Sequence, residues 1–138
     1  MNSEFLITEY KKFSDIPLHK LDNFKFSVYI MDFAWNYLFV NVFAQNNLGE
    51  RGRNLVGQNM WEVFIELTTD PSFLALRKNS ESGIRSNIIT TSPVTRQRLN
   101  ITGFPLEDCY YFTSSILPDK ENLIDELRHE LSKKNKHK

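Results

Sequence analysis

The residues able to do chemistry are few and stand apart. Cys109 is the one thiol in 138 residues, and the three imidazoles are His19, His129 and His137. A single thiol can form neither an internal disulfide nor a cysteine zinc cage. Each histidine reads as a solvated surface group, since a lone imidazole with no histidine or cysteine partner more often meets water than a metal. Glu62, Glu66 and Asp70 recur every four residues. To act as acids or bases they would need a cleft that raises their pKa values, and a solvated acidic face is the simpler reading. No Ser/His/Asp set, phosphate-cradling glycine loop or HExxH motif is present. The pattern therefore predicts no catalytic and no metal-ligating residues, and it points to binding instead of turnover.

Composition narrows what could be bound. Hydrophobic residues make up 41% of the chain and aromatics 13%, with eleven phenylalanines, so one domain with a substantial apolar core is expected. The formal net charge is zero. That predicts neither a nucleic-acid partner, which calls for a basic face, nor an electrostatic membrane binder. Apolar runs are far shorter than the roughly 18–20 residues of a membrane span. No basic leader with an apolar run opens the sequence, and with its lone cysteine this predicts a cytoplasmic protein.

The elements that must position a site follow from periodicity. Leu6, Tyr10 and Phe13 at i, i+4 and i+7 predict a short helix over 3–13. Strands are expected at 26–31 and 37–40, joined by a turn at 32–36 that lacks glycine. Asn41 sits where a helix N-cap belongs, with Gly49 as its C-cap. Residues 50–70 read as irregular. Asp70-Pro71 then starts a helix that should stop before Gly83. Strands are expected at 84–91, 94–104 and 109–117, the middle one with Leu99, Ile101 and Gly103 on one face. After Pro118 a helix is expected, with Ile124, Leu127 and Leu131 recurring at helical spacing. Grouped strands pair antiparallel, which predicts an α+β fold with helices on one face of the sheet.

This order resembles the PAS domain over roughly residues 24–131. Asp32 stands where that family ends its first strand, and Tyr37-Leu-Phe-Val-Asn41 resembles its strand leading into a short helix. Leu55-Val-Gly57 followed by Trp61-Glu-Val-Phe64 resembles its connector, and Phe104-Pro-Leu106 its last turn. One departure is clear. The family often ends its sheet with Asp-Ile-Thr, whereas Ser114-Ser-Ile-Leu-Pro-Asp119 stands here.

The resemblance implies a five-stranded antiparallel sheet with short helices on one face. It divides the chain into an N-terminal helical cap (1–23), a core (24–117) and a C-terminal signalling helix with a basic tail (118–138). It implies a sensory domain in signal transduction that binds a small ligand, dimerises, or both. The cavity would be lined by Tyr29, Met31, Met60, Val63, Phe73, Leu76, Leu99, Ile101, Phe112, Ser114 and Ile116, and would suit an apolar or aromatic ligand. No cofactor is expected. Cysteinyl-flavin chemistry is disfavoured because Met60 follows Asn59 where that chemistry needs cysteine, and Ile116 replaces the glutamine of the last strand. Haem is disfavoured because 70–83 holds no histidine. Ile124, Leu127 and Leu131, with the sheet's outer face, would form a homodimer or meet a separate signalling output protein. Two alternatives stand beside this: a ligand-free interaction module whose apolar residues simply fill the core, and a small cone-shaped α+β enzyme.

Overall fold

The structure is a computed structural model that describes residues 10–118 and 127–131. Five strands form one antiparallel sheet: β1 (Ser27–Met31), β2 (Tyr37–Val40), β3 (Ser86–Thr91), β4 (Arg98–Pro105) and β5 (Tyr110–Ile116). Their order across the sheet is β2-β1-β5-β4-β3, so the last strand lies in the centre between the two others that flank it. The α-helical segments that accompany them within residues 10–118 are α1 (Leu18–Leu21), α2 (Val42–Leu48), α3 (Met60–Val63) and α4 (Pro71–Glu81). The 50–70 connector, expected to be irregular, contains α3 and two 3-10 turns at Gly49–Gly52 and Ile65–Thr69.

Alternation along the strands sorts the apolar residues into two cores. On the inner face Met31, Leu99, Ile101, Tyr110 and Phe112 meet Ala44, Leu55, Met60, Phe64, Phe73 and Leu76 from the helices and connector. On the outer face Val28, Ile30, Phe104 and Tyr111 pack under Ile16 and Leu21. The N-terminal segment thus roofs the outer face near β1 and β5. It is fastened to the β4–β5 turn where the Phe13 amide donates to Asp108 Oδ1 (2.8 Å) and the Glu107 amide to the Lys11 carbonyl (2.8 Å). The outer surface available to a second molecule is correspondingly narrower than a bare sheet face.

The β1–β2 hairpin shows how a turn forms without glycine. Asp32 Oδ1 accepts from the Ala34 and Asn36 amides at 3.0 and 2.9 Å, and Trp35 takes the left-handed conformation at φ 69°. A bulge between Ile30 and Met31 then places both Leu38 and Phe39 with the outer core while Tyr37 and Val40 belong to the inner one.

Asn41 caps α2 as expected and does more. Its Oδ1 accepts from the Ala44 amide (3.1 Å) and the Val28 amide (3.0 Å). Its Nδ2 donates to the carbonyls of Leu21 (2.9 Å) and Phe26 (3.0 Å). One fully buried amide therefore joins the N-terminal segment, β1 and α2. Asp70 likewise caps α4, accepting from the Ser72 and Phe73 amides at 3.0 and 3.1 Å.

Two sequence expectations need correction, and a third is only partly covered. Residues 10–12 are not helical and Phe13–Asp15 is a single 3-10 turn; the rest of the expected 3–13 helix lies outside the described residues. The strand expected to begin at 94 begins at Arg98, because Ser92 and Arg96 close a compact loop: the Arg96 amide donates to the Ser92 carbonyl (2.9 Å) and the Ser92 amide to the Gln97 carbonyl (2.8 Å). Arg96 holds the left-handed φ of 64° that this closure requires. Of the C-terminal stripe, Ile124 lies outside the described residues, while 127–131 are helical with Leu127 and Leu131 exposed.

Candidate functional site

Between the inner face of the sheet and α2–α4 lies a cavity of about 80 Å³. Tyr29 and Met31 line it from β1, Leu99 and Ile101 from β4, Phe112 and Ser114 from β5. Met60, Phe73 and Leu76 close it from the helices. These nine sequence-expected residues are brought together. The wall is mostly apolar; Tyr29, Tyr37 and Ser114 bring polar groups to it from the sheet, and Asn47, Ser92 and Thr95 from α2 and the loop before β4.

Val63 and Ile116 do not line the cavity. Helix α3 is a single turn, and Phe64, four residues after Met60, takes the inward place assigned to Val63; Val63 borders a surface groove with Asn59 and Glu62. Ile116 has the inward parity, but it sits at the end of β5, where the helical layer no longer covers the sheet, and it is 42% exposed.

Sequence reasoning missed Trp35, Tyr37, Phe64, Leu67 and a second group formed by Asn47, Leu48, Ser92, Val94 and Thr95. Trp35 was hidden because a turn residue carries no periodicity. Its ring is 4.7 Å from Tyr110 and 5.7 Å from Phe112 between centroids, and its Nε1 donates to Glu81 Oε2 at 3.0 Å. Gly103 shapes the wall by having no side chain: a Cβ there would come within 2.8 Å of Phe112 Cε1. The signal for it was legible, a glycine on the inward face of a central strand.

Burial sets the electrostatics. Desolvation pushes the Tyr29 phenol up to about 12, partly opposed by its hydrogen bond with Ser27. Desolvation, with Tyr29 nearby, raises Tyr37 well above the usual tyrosine range. Both phenols are neutral hydrogen-bonding groups facing an apolar space, suited to orienting an uncharged ligand and unsuited to proton transfer near neutral pH. The acidic residues have structural work outside the cavity. Arg51 Nη1 and Nη2 donate to Glu66 at 2.6 and 2.8 Å, and that paired hydrogen bond pulls the Glu66 carboxyl down to about 2. Asp70 is the α4 cap, and Glu62 is exposed. Asn59 caps α3 through the Trp61 amide (3.0 Å). Cys109 lies fully buried in the outer core, with burial, then Asp108, raising its thiol to about 12. Ser114 lies on the opposite side of β5, since neighbouring strand residues alternate.

A cavity this size is well below the roughly 300 Å³ at which sites for larger organic ligands begin, and about half the 150 Å³ that admits benzene. As it stands the space suits a small or slender apolar molecule, and a larger one would have to displace side chains.

An antiparallel five-stranded sheet with helices over one face and an apolar cavity between them defines a class of α+β fold. More narrowly, the fold is that of a PAS domain. The photoactive yellow protein domain of the sensor histidine kinase Ppr from Rhodospirillum centenum superposes with a TM-score of 0.59 at 18% identity, over 74% of this chain and 94% of that one. The PAS domain of Bordetella pertussis BvgS gives 0.56 at 10% identity, over 96% and 99%. The quorum-sensing receptor PAS domain of Cronobacter turicensis RpfR in complex with C12:0 gives 0.52 at 13% identity, over 70% and 97%. At such identities the likeness is one of fold. No family model and no curated protein matches the sequence.

Proposed function

We propose that this chain is a sensory, regulatory PAS domain that takes up a small, uncharged apolar or aromatic ligand in the cavity and passes its occupancy to a partner. The single observation that carries the reading is the cavity itself: an apolar space bounded by both layers of the fold, with neutral phenols as its polar handles. The solved PAS domain that holds C12:0 supports an apolar ligand on the same architecture. The apolar wall and neutral phenols support binding as the proposed role. In this reading segment 24–117 is the sensing core, 1–23 its cap and 118–138 the output segment with its basic tail. Leu127 and Leu131, exposed on the helical residues 127–131, are available to a second copy of the chain or to a separate output protein. The setting proposed is cytoplasmic.

The small volume favours one rival, a ligand-free interaction module whose core is nearly filled. Native mass spectrometry on protein purified from its own host separates the two. The sensory reading expects an added small-molecule mass that is lost on denaturation. No retained mass would leave the interaction module.

A further inference from the structure

Solvent contact is unevenly distributed around the cavity wall. Met31, Met60, Phe73, Leu76, Leu99 and Phe112 are buried; of the half-buried lining residues Tyr29 stands alone on β1, whereas Asn47, Leu48, Val94 and Thr95 cluster where α2 meets the loop before β4. The cavity therefore reaches the surface between the last turn of α2 and the loop at 92–97. Across that gap Asn47 and Gln97 face each other as paired amides. Asn47 Nδ2 donates to Gln97 Oε1 at 2.8 Å, and Gln97 Nε2 donates back to Asn47 Oδ1 at 2.9 Å.

The two sides of the gap are built differently. On the α2 side, Gly49 turns the chain at φ 66° and Gly52 packs so tightly that a Cβ would lie 2.6 Å from the Gln45 carbonyl oxygen. That side is a fixed post. The 92–97 loop is closed on itself: Ser92 Oγ accepts from the Val94 and Thr95 amides at 3.1 and 3.3 Å, in addition to the two backbone bonds between Ser92, Arg96 and Gln97. A loop that satisfies its own backbone can swing as a unit about its junctions with β3 and β4 without breaking internal bonds.

We infer that the Asn47–Gln97 amide pair is a latch, and that loop 92–97 is the flap it holds shut over the mouth of the ligand cavity. The inference rests on the sensory reading for its purpose but not for its test. Two neutral amide bonds fit a reversible latch, because each is exchanged for water at small net cost when the flap lifts. A ligand would pass when the pair parts and be retained when it re-forms.

The test places a thiol inside the cavity with Ser114→Cys and measures its reaction with methyl methanethiosulfonate in ligand-free protein. Cys109, fully buried in the other core, supplies a built-in control for unfolding. Breaking the pair with Asn47→Leu or with Gln97→Met should each speed modification of the introduced thiol about tenfold, the size expected for losing this pair's net stabilisation of the closed flap. Both together should be no faster than either alone, since each removes the same interaction. Cys109 should stay unmodified throughout. Equal rates with and without the pair, additive single effects, or modification at a free-thiol rate with the pair intact would each overturn the latch. Parallel acceleration at Cys109 would show general loosening and overturn it as well. Failure to find a bound ligand leaves these rates unaffected, so the two readings fail separately.

Discussion

Asn41 offers the sharpest test of how the domain is held together. Asn41→Ala removes both acceptor contacts and both donor contacts of a side chain with no solvent exposure. The Leu21 carbonyl retains the Phe24 amide (3.2 Å) as a partner, so it is not fully orphaned. The Val28 amide and the Phe26 carbonyl lose a buried partner, at about 1–3 kcal/mol for each group left unsatisfied. The lost α2 cap adds about 1 kcal/mol. Allowing for water entering the vacated space, the sum is about 3–5 kcal/mol, a large part of the roughly 5–15 kcal/mol typical of a domain. Urea unfolding should show a lower midpoint with an unchanged m-value. Asn59→Ala is the comparison: it removes a cap of the same chemistry together with two donor contacts, to the Ala34 carbonyl (2.9 Å) and Asn36 Oδ1 (3.3 Å), but from a half-buried site where water can replace them, and should cost only about 1–2 kcal/mol. Asn41→Asp keeps the acceptor but turns an anionic oxygen toward two carbonyls, so it should be severe at pH 7 and partly recover as acid protonates it. If Asn41→Ala falls within 1 kcal/mol of wild type, or matches Asn59→Ala, the argument that burial makes this amide a structural joint is wrong.

Three further outcomes follow from the geometry. Gly103→Ala should destabilise by about 1–3 kcal/mol, because the new Cβ meets the Phe112 ring at 2.8 Å and Leu76 Cδ1 at 3.4 Å; thermal unfolding measures it, and an unshifted midpoint would contradict the contact. The Glu66 carboxyl is held down by Arg51, so its contribution is fully present above about pH 4.5 and is lost as pH falls through about 2. Glu66→Gln should flatten the acid limb of stability between those values, modestly because the pair is partly exposed, and an unchanged limb would refute the pairing. Tyr29 runs the other way: its raised pKa favours the neutral fold, a contribution present below pH 10 and lost as pH rises through about 12. Ultraviolet titration of wild type against Tyr29→Phe should remove one late-ionising phenol; removal of an early one would refute its burial.

Much of the architecture was legible because it rests on local rules. Asn41, Gly49, Asp70 and the stop before Gly83 are capping signals fixed by backbone geometry, and each stands where the spacing put it. Parity along β4 and β5 placed Leu99, Ile101, Phe112 and Ser114 on the inner face for the same reason. Misses came where a non-local contact or an unusual dihedral decided the outcome. Residues 94–97 have strand-like composition, but the Ser92–Arg96 closure bends them into a loop and so brings Val94 and Thr95 to the cavity mouth. Val63 lost its inward place to Phe64 because α3 is one turn long, a length that periodicity cannot resolve. Parity was also insufficient for Ile116, since facing inward matters only where another layer lies above. The four-way bonding of Asn41 was out of reach because two of its partners belong to a segment joined to it only by folding.

The strand order bears on how the polypeptide matures on the ribosome. β1 completes its hydrogen bonding on one edge with β2 early, but its other edge waits for β5, whose Tyr110 pairs with Met31 across 79 positions of chain. Until the segment to Ile116 has left the exit tunnel, a nascent hairpin carries an unpaired edge while β3 and β4 zip separately into another. Sheet closure is therefore a late, long-range event, slower than local pairing and open meanwhile to association with neighbouring chains.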